Sequence, residues 1–279
     1  MTEVLRYAAF TVAGQGGNLA GVVLDARDLD DAEMQAIARD AGYSETAFLV
    51  SRAETNAYDV RYFAPLAEVP FCGHATIAAA VALAERYRAD ELVFHTQAGY
   101  VSVTTRREDG VPVAELTSVA PRSADAAPEL VEAVLGALHW SAADLHPDYP
   151  PARANAGSEH LILVVRTHAR LSELDYDVDA LAHLMRSHGL VTVQLVWPES
   201  RRRYHARAVF AGTGVDEDPA TGAAAAAFGG YLRRLGRIGP TARFTISQGV
   251  EMGRPSELEV SVIRGEPGVR VAGRAHAVA

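Results

Sequence analysis

The chain has 279 residues, and all 26 of its basic residues are arginine. Without lysine it can supply no pyridoxal Schiff base, lysine nucleophile or P-loop lysine, and its one cysteine, Cys72, makes no internal disulfide or CxxC pair. A net charge of −9 argues against a nucleic-acid-binding face.

A hydrophobic fraction of 49% with 22% charged residues is ordinary for a globular protein. The first residues, MTEVLRYAAF, lack the basic and apolar pattern of a secretory signal. The longest apolar run, Ala75–Ala84, is half of the roughly 20 residues a membrane span needs. A cytoplasmic protein is expected, with no membrane partner.

In chain order, short β-rich stretches bounded by Gly, Pro or Asp predict strands near residues 4–10, 19–24, 46–51, 58–63, 91–96, 100–105 and 113–118. The theme resumes near 161–166, 193–197, 204–210, 243–247, 257–263 and 269–272. Helices are expected over Asp31–Ala41, with Gly42 past its end, over Pro128–Leu138 and over Val178–His188. The stretches around HPDYPPAR and Ala154–Ser158 read as loop. Ala120–Ala127 reads as the linker between two domains, 1–120 and 121–266.

Two further helices follow Gly-containing turns: Cys72-Gly73-His74-Ala75-Thr76 leads into one and Asp218-Pro219-Ala220-Thr221-Gly222 into the other. Gly73 and Gly222 stand 149 residues apart (222 less 73), about half the chain, as a tandem duplication would leave them; the plainer reading is two unrelated alanine-rich helices. Ala75–Ala84 is apolar nearly all round, so that helix is expected to be buried on every side within a curved antiparallel sheet. The expected class is α+β, two similar domains each wrapped round a helix.

A Gly turn at a helix start presents backbone N–H groups at the positive end of the helix dipole, an anion site suited to a small carboxylate. Gly73, Gly222 and Ala223 are the candidate substrate-binding positions. His74, Asp218 and Glu45 are the candidate titratable groups. Taken singly each has a plainer reading: Asp218 as a helix N-cap with Pro219 in the first helical turn, His74 as a packed helix-terminal histidine, Glu45 as an exposed strand-start carboxylate. A Glu45 turned into a cleft would be desolvated and its pKa raised towards general acid/base use. No HExxH, HxH or clustered pattern marks a metal site, and no GxSxG marks a hydrolase nucleophile.

The segments Ser44–Phe48, Arg61–Pro65, Glu68–Thr76, Glu217–Gly222, Gln248–Gly249 and Met252–Ser256 together resemble the PhzF family, named for phenazine biosynthesis. The resemblance runs from near residue 8 to near residue 263. It implies the diaminopimelate-epimerase-like fold with the last strand, about 267–279, returning to the first domain, an active site between the domains, and a homodimer. It also implies a cofactor-independent isomerase of a small carboxylate-bearing metabolite. Glu45 would shuttle the proton, with His74 and Asp218 as polar partners.

Related racemases carry a thiol at each helix start; here the positions are Cys72 and Thr221, and a threonine hydroxyl is far too weak an acid for that role. Cys72 is expected to be structural. The family's usual DPVTGSAH is DPATGAAAA here, so Ala223 stands in place of serine and Ala225 in place of histidine, while Leu19 stands where a proline is common. These departures keep open a C–C bond hydrolase or tautomerase on the same site, and a non-catalytic small-molecule binder.

Overall fold

The computed structural model describes residues 2–212 and 216–278. In chain order its elements are β1 (Leu5–Ala9), β2 (Asn18–Val23), α1 (Asp31–Ala41), β3 (Glu45–Ser51), β4 (Ala57–Phe63), β5 (Glu68–Val69), α2 (Gly73–Tyr87), β6 (Glu91–Thr96), β7 (Gly99–Glu108) and β8 (Val111–Thr117). There follow β9 (Arg122–Asp125), α3 (Pro128–Ala137), β10 (Ala152–Asn155), β11 (Glu159–Val164), α4 (His168–Ser172), α5 (Val178–His188), β12 (Thr192–Pro198) and β13 (Arg203–Val209). The last are β14 (Glu217–Asp218), α6 (Gly222–Arg234), β15 (Ala242–Gln248), β16 (Ser256–Val262) and β17 (Arg270–Ala277). Two compact units result, Met1–Thr117 with Val271–Ala279, and Ser118–Arg270.

In the first unit eight strands close on themselves in the order β17-β1-β2-β3-β4-β6-β7-β8, with β8 meeting β17 again. Closure leaves no open sheet edge. The two parallel pairs, β2–β3 and β4–β6, are the ones whose crossovers contain α1 and α2. The α2 sequence GHATIAAAVALAERY is rich in the best helix former, and every residue from Gly73 to Leu83 is buried. Alanines on all faces let β1, β2 and β8 approach it closely. The helix begins with no side-chain cap and ends at Arg88 in the left-handed region. On the outer side α1 covers β3 and β4 through Met34, Ala38, Phe48 and Phe63. It is held by a capping box between Asp30 and Glu33 and closed by Gly42.

The second unit repeats this plan. Its strands pair in the order β9-β10-β11-β12-β13-β15-β16, with β11–β12 and β13–β15 parallel. α4 and α5 lie in the crossover where the first unit has α1, and α6 lies where it has α2. α6 is buried over Ala224–Leu232, and a side chain at Gly230 would collide with Pro121 beside β9. Registers match as well: Phe63 pairs with Glu68 and Val209 with Glu217, so β5 and β14 are equivalent. In both copies an arginine two residues earlier grips that glutamate through two parallel bonds. Arg61 reaches Glu68 at 2.7 and 2.7 Å, and Arg207 reaches Glu217 at 2.9 and 2.6 Å.

Three stretches differ from the sequence expectation. The Ala120–Ala127 segment is not free linker, because β9 within it pairs with β10. β10 in turn occupies the region read as loop, its four residues directly preceded by the Pro150–Pro151 pair that hid it. Pro219 lies outside the helix, which starts at Gly222 with Thr221 as N-cap, so Asp218 sits in β14 and is not the cap. Among the described residues no helix is long and apolar enough to cross a membrane.

The two arginine clamps differ in burial. The Arg207 and Glu217 side chains are each 11% exposed, against 33% and 21% for Arg61 and Glu68. Arg207→Ala strands a buried carboxylate and is expected to cost about 3 kcal/mol, whereas Arg61→Ala costs about 1 kcal/mol. Urea unfolding of the two variants should show the larger midpoint loss for Arg207→Ala.

Candidate active site

The first unit gathers its polar side chains where β2, β3 and the start of α2 meet. Glu45 opens β3 and pairs in register with Ala20, which puts Asn18 on the same edge two residues away. His74, in the first turn of α2, is 5% exposed. Its Nε2 lies 3.4 Å from Glu45 Oε2 and 3.2 Å from Ser44 Oγ. Its Nδ1 lies 3.1 Å from Asn18 Nδ2 and 3.3 Å from Cys72 Sγ. An amide N–H can only donate, so Nδ1 accepts and the ring proton belongs on Nε2, aimed at Ser44 and Glu45. Thr76 Oγ1 donates to the Cys72 carbonyl at 2.7 Å and meets the Tyr62 hydroxyl at 2.6 Å, which fixes the turn that carries Cys72 and His74.

Glu45 is 13% exposed. Burial pushes its carboxyl above the ordinary carboxylate range. Hydrogen bonds from the Ser44 hydroxyl and the Cys72 thiol pull the other way without cancelling that effect. Cys72 is thus more than packing: its thiol touches both the carboxylate and the imidazole. Its sulfur, Glu45 and His74 place ligand-type atoms all within 4.8 Å of one another. Positions 45, 72 and 74 form no recognisable ligand spacing, so only the fold reveals this cluster. Asn18 was also missed; its one signal was its place just after the Gly-rich turn at residues 14–17.

The second unit holds Asp218. Its Oδ2 accepts the Thr221 hydroxyl at 2.6 Å, and its carbonyl accepts from Gln248 Nε2 at 2.7 Å. Gln248 Nε2 also lies 3.0 Å from Thr221 Oγ1. Gly222 and Ala223 open α6 directly after this network. Their first-turn N–H groups point out of the helix with no acceptor inside it. Gly73 opens α2 in the same way.

Register lets the two copies be compared position by position. Glu45 corresponds to Thr192 and Ala20 to His160, while Cys72 corresponds to Thr221 and His74 to Ala223. His160 is fully buried, bonded to Thr192 Oγ1 at 2.8 Å and to Ser158 Oγ at 3.0 Å. Burial pushes its pKa down to about 4, so it is neutral near pH 7. The carboxylate, thiol and helix-start histidine therefore belong to the first copy alone.

The PhzC-PhzF family model, described as phenazine biosynthesis-like protein, matches residues 7–279. An uncharacterised isomerase of Deinococcus radiodurans is 36% identical over 277 residues, covering 95% of this chain and 88% of the relative. The trans-2,3-dihydro-3-hydroxyanthranilate isomerase of Pseudomonas chlororaphis is 33% identical over 248 residues, covering 89% and 86%. The crystal structure of a PhzF-family phenazine biosynthesis protein from Bacillus anthracis superposes with a TM-score of 0.88 at 25% identity, covering 100% of this chain and 97% of the other.

Because the Glu45 pKa is raised on folding, ionising it opposes the folded state. Its contribution is fully present below its unfolded pKa and is lost as pH rises through the folded value. Glu45→Gln removes that loss. The variant should be more stable than wild type near pH 8, with the gap closing as pH falls to about 4, the ordinary glutamate pKa. Paired chemical denaturation at pH 8 and pH 4 measures it.

Proposed function

The chain belongs to the PhzC-PhzF family of phenazine biosynthesis-like proteins and is an isomerase of that family, and from this premise we propose that it isomerises a small carboxylate-bearing metabolite by proton transfer through one base, Glu45. The observation that carries the reading is the inequality of the two copies. Only one has a carboxylate at the strand start, and only that copy adds a histidine and a thiol at the helix start. A two-base racemase needs an acid/base group from each copy, and Thr221 is too weak an acid to be the second.

Glu45 is suited to both halves of such a reaction. Desolvation brings its affinity for a proton closer to that of a carbon acid's enolised form than an exposed carboxylate would have. It can take a proton from one carbon, hold it away from water, and return it to another. The Nε2–H of His74 steadies the ionised form, and the Ser44 hydroxyl does the same. No cofactor enters this scheme. The helix start at Gly73 supplies N–H groups for the substrate carboxylate. Asp218, held by Thr221 and Gln248, is the further polar partner that the family resemblance implies.

Ala223 offers no hydroxyl where the family pattern has serine. A substrate that relies on that hydroxyl would lose a hydrogen bond to a charged group, worth roughly 1.5–3 kcal/mol. The reading therefore favours a substrate with one polar group fewer at that place than trans-2,3-dihydro-3-hydroxyanthranilate, the substrate named for the Pseudomonas relative.

The test is turnover in D2O with that compound and a panel of smaller unsaturated carboxylates, read by mass spectrometry and NMR. Glu45→Gln should lower both isomerisation and exchange about 10²–10⁴-fold, the usual share of a general base. Asp218→Asn should lower isomerisation in the same assay. An unchanged exchange rate in Glu45→Gln would remove Glu45 from the chemistry.

A further inference from the structure

We propose that Glu45, Cys72 and His74 form a binding site for a thiophilic divalent metal ion, zinc or its chemical relatives, and that an ion there switches the isomerase off. The three side chains bring one carboxylate oxygen, one thiol sulfur and one imidazole nitrogen into a single buried cluster, with the chosen atoms all within 4.8 Å of one another. That donor set selects the ion. Calcium and magnesium call for six or more oxygen ligands, which this cluster does not offer, whereas zinc accepts mixed sulfur, nitrogen and oxygen donors.

The spacing matches as well as the donor types. Zinc bonds of about 2.3 Å to sulfur and 2.0–2.1 Å to nitrogen and oxygen make tetrahedral edges of roughly 3.3–3.6 Å. Here His74 Nε2 lies 3.4 Å from Glu45 Oε2 and 3.8 Å from Cys72 Sγ. These two edges need shifts of at most a few tenths of an ångström, and the third, from Cys72 Sγ to the Glu45 carboxylate, lies within 4.8 Å. Three protein ligands leave a fourth position open to water, as in zinc sites that are not purely structural.

The surroundings can also orient the imidazole. An ion on Nε2 requires the ring proton on Nδ1, where Asn18 now presents its amide nitrogen at 3.1 Å. Turning the Asn18 amide over brings its oxygen to the same place, ready to accept from Nδ1–H. A second partner of this kind is what a ligating histidine ordinarily has. On binding, the thiol proton leaves to solvent and the sulfur becomes the thiolate ligand.

The site stands on its own geometry. Only its effect on turnover rests on the proposed function, because an ion there would occupy the Glu45 oxygen and the His74 nitrogen that proton transfer requires. The chain would then be active as metal-free protein and silenced by free zinc, with chelation restoring it.

The experiment titrates chelator-treated full-length protein with Co2+ alone and follows its absorption. Wild type should bind one ion per chain with tetrahedral visible bands and a near-ultraviolet thiolate-to-cobalt band, and Zn2+ should erase both. Cys72→Ser should lose the thiolate band. Glu45→Gln, which keeps side-chain volume, should retain the band with weaker binding. Asn18→Ala should weaken binding about 10- to 100-fold, as loss of a partner behind a ligand does. Wild-type protein that is folded by circular dichroism yet shows no thiolate band overturns the proposal, as does equal binding by folded Cys72→Ser. Saturating Zn2+ should abolish isomerisation and EDTA restore it. Zinc bound through the thiolate with turnover intact would uphold the metal site, overturn its role as a switch and count against Glu45 as the base.

Discussion

The structure depends on how closely a sheet can approach a helix that it encloses. Alanine and glycine along α2 and α6 let strands pack against every side of each helix. In the first unit the enclosing sheet is a closed ring of eight strands. A helix held in that way has little freedom to shift along its axis. Its first turn is therefore fixed against the strand starts, which is where β3 brings Glu45 and β2 brings Asn18. The same enclosure removes water from the carboxylate. Packing of the smallest side chains and the raised proton affinity of Glu45 are two results of one constraint.

The two units share one plan and spend it differently. Each leads into its helix through a short strand clamped by a bidentate arginine–glutamate pair, Arg61–Glu68 and Arg207–Glu217. That pair fixes the turn before the helix in both copies, whatever stands at the helix start. At the start itself the copies diverge. The first has Cys72 and His74 facing Glu45; the second has Thr221 and Ala223, with Asp218 tied to Thr221 and Gln248. Behind them, His160 with Thr192 and Ser158 fills the place of the Glu45 edge with a neutral, fully bonded network. The clustered carboxylate, imidazole and thiol are thus a property of the first copy.

Much of this was readable from the residues. The all-round apolar run at Ala75–Ala84 required a helix buried on every side, and the 149-residue spacing of Gly73 and Gly222 pointed to two copies of one plan. The first is a local signal of composition; the second is a recurring turn-and-helix pattern that two unrelated alanine-rich helices could also give. What stayed hidden was non-local. β9 and β10 are four residues each and lie among prolines, so their strand character comes from pairing with each other and not from composition. Asp218 looked like a cap because Asp before Pro commonly is one, but the pairing of β14 with β13 holds it back from the helix. The contact of Cys72 with Glu45 joins residues 27 positions apart (72 less 45), and no pattern in either segment announces it.

Burial that holds the Glu45 carboxyl above its ordinary proton affinity is the condition on which a base at this position depends. Protein carrying 13C at glutamate side-chain carboxyls, with Glu45→Gln used to assign the resonance, can be titrated by NMR in the folded state. The account predicts a Glu45 midpoint clearly above about 4.3, the value of an unperturbed glutamate. A midpoint at or below that value would mean that its hydrogen bonds outweigh its burial, and would contradict the role given to Glu45 as the poised base.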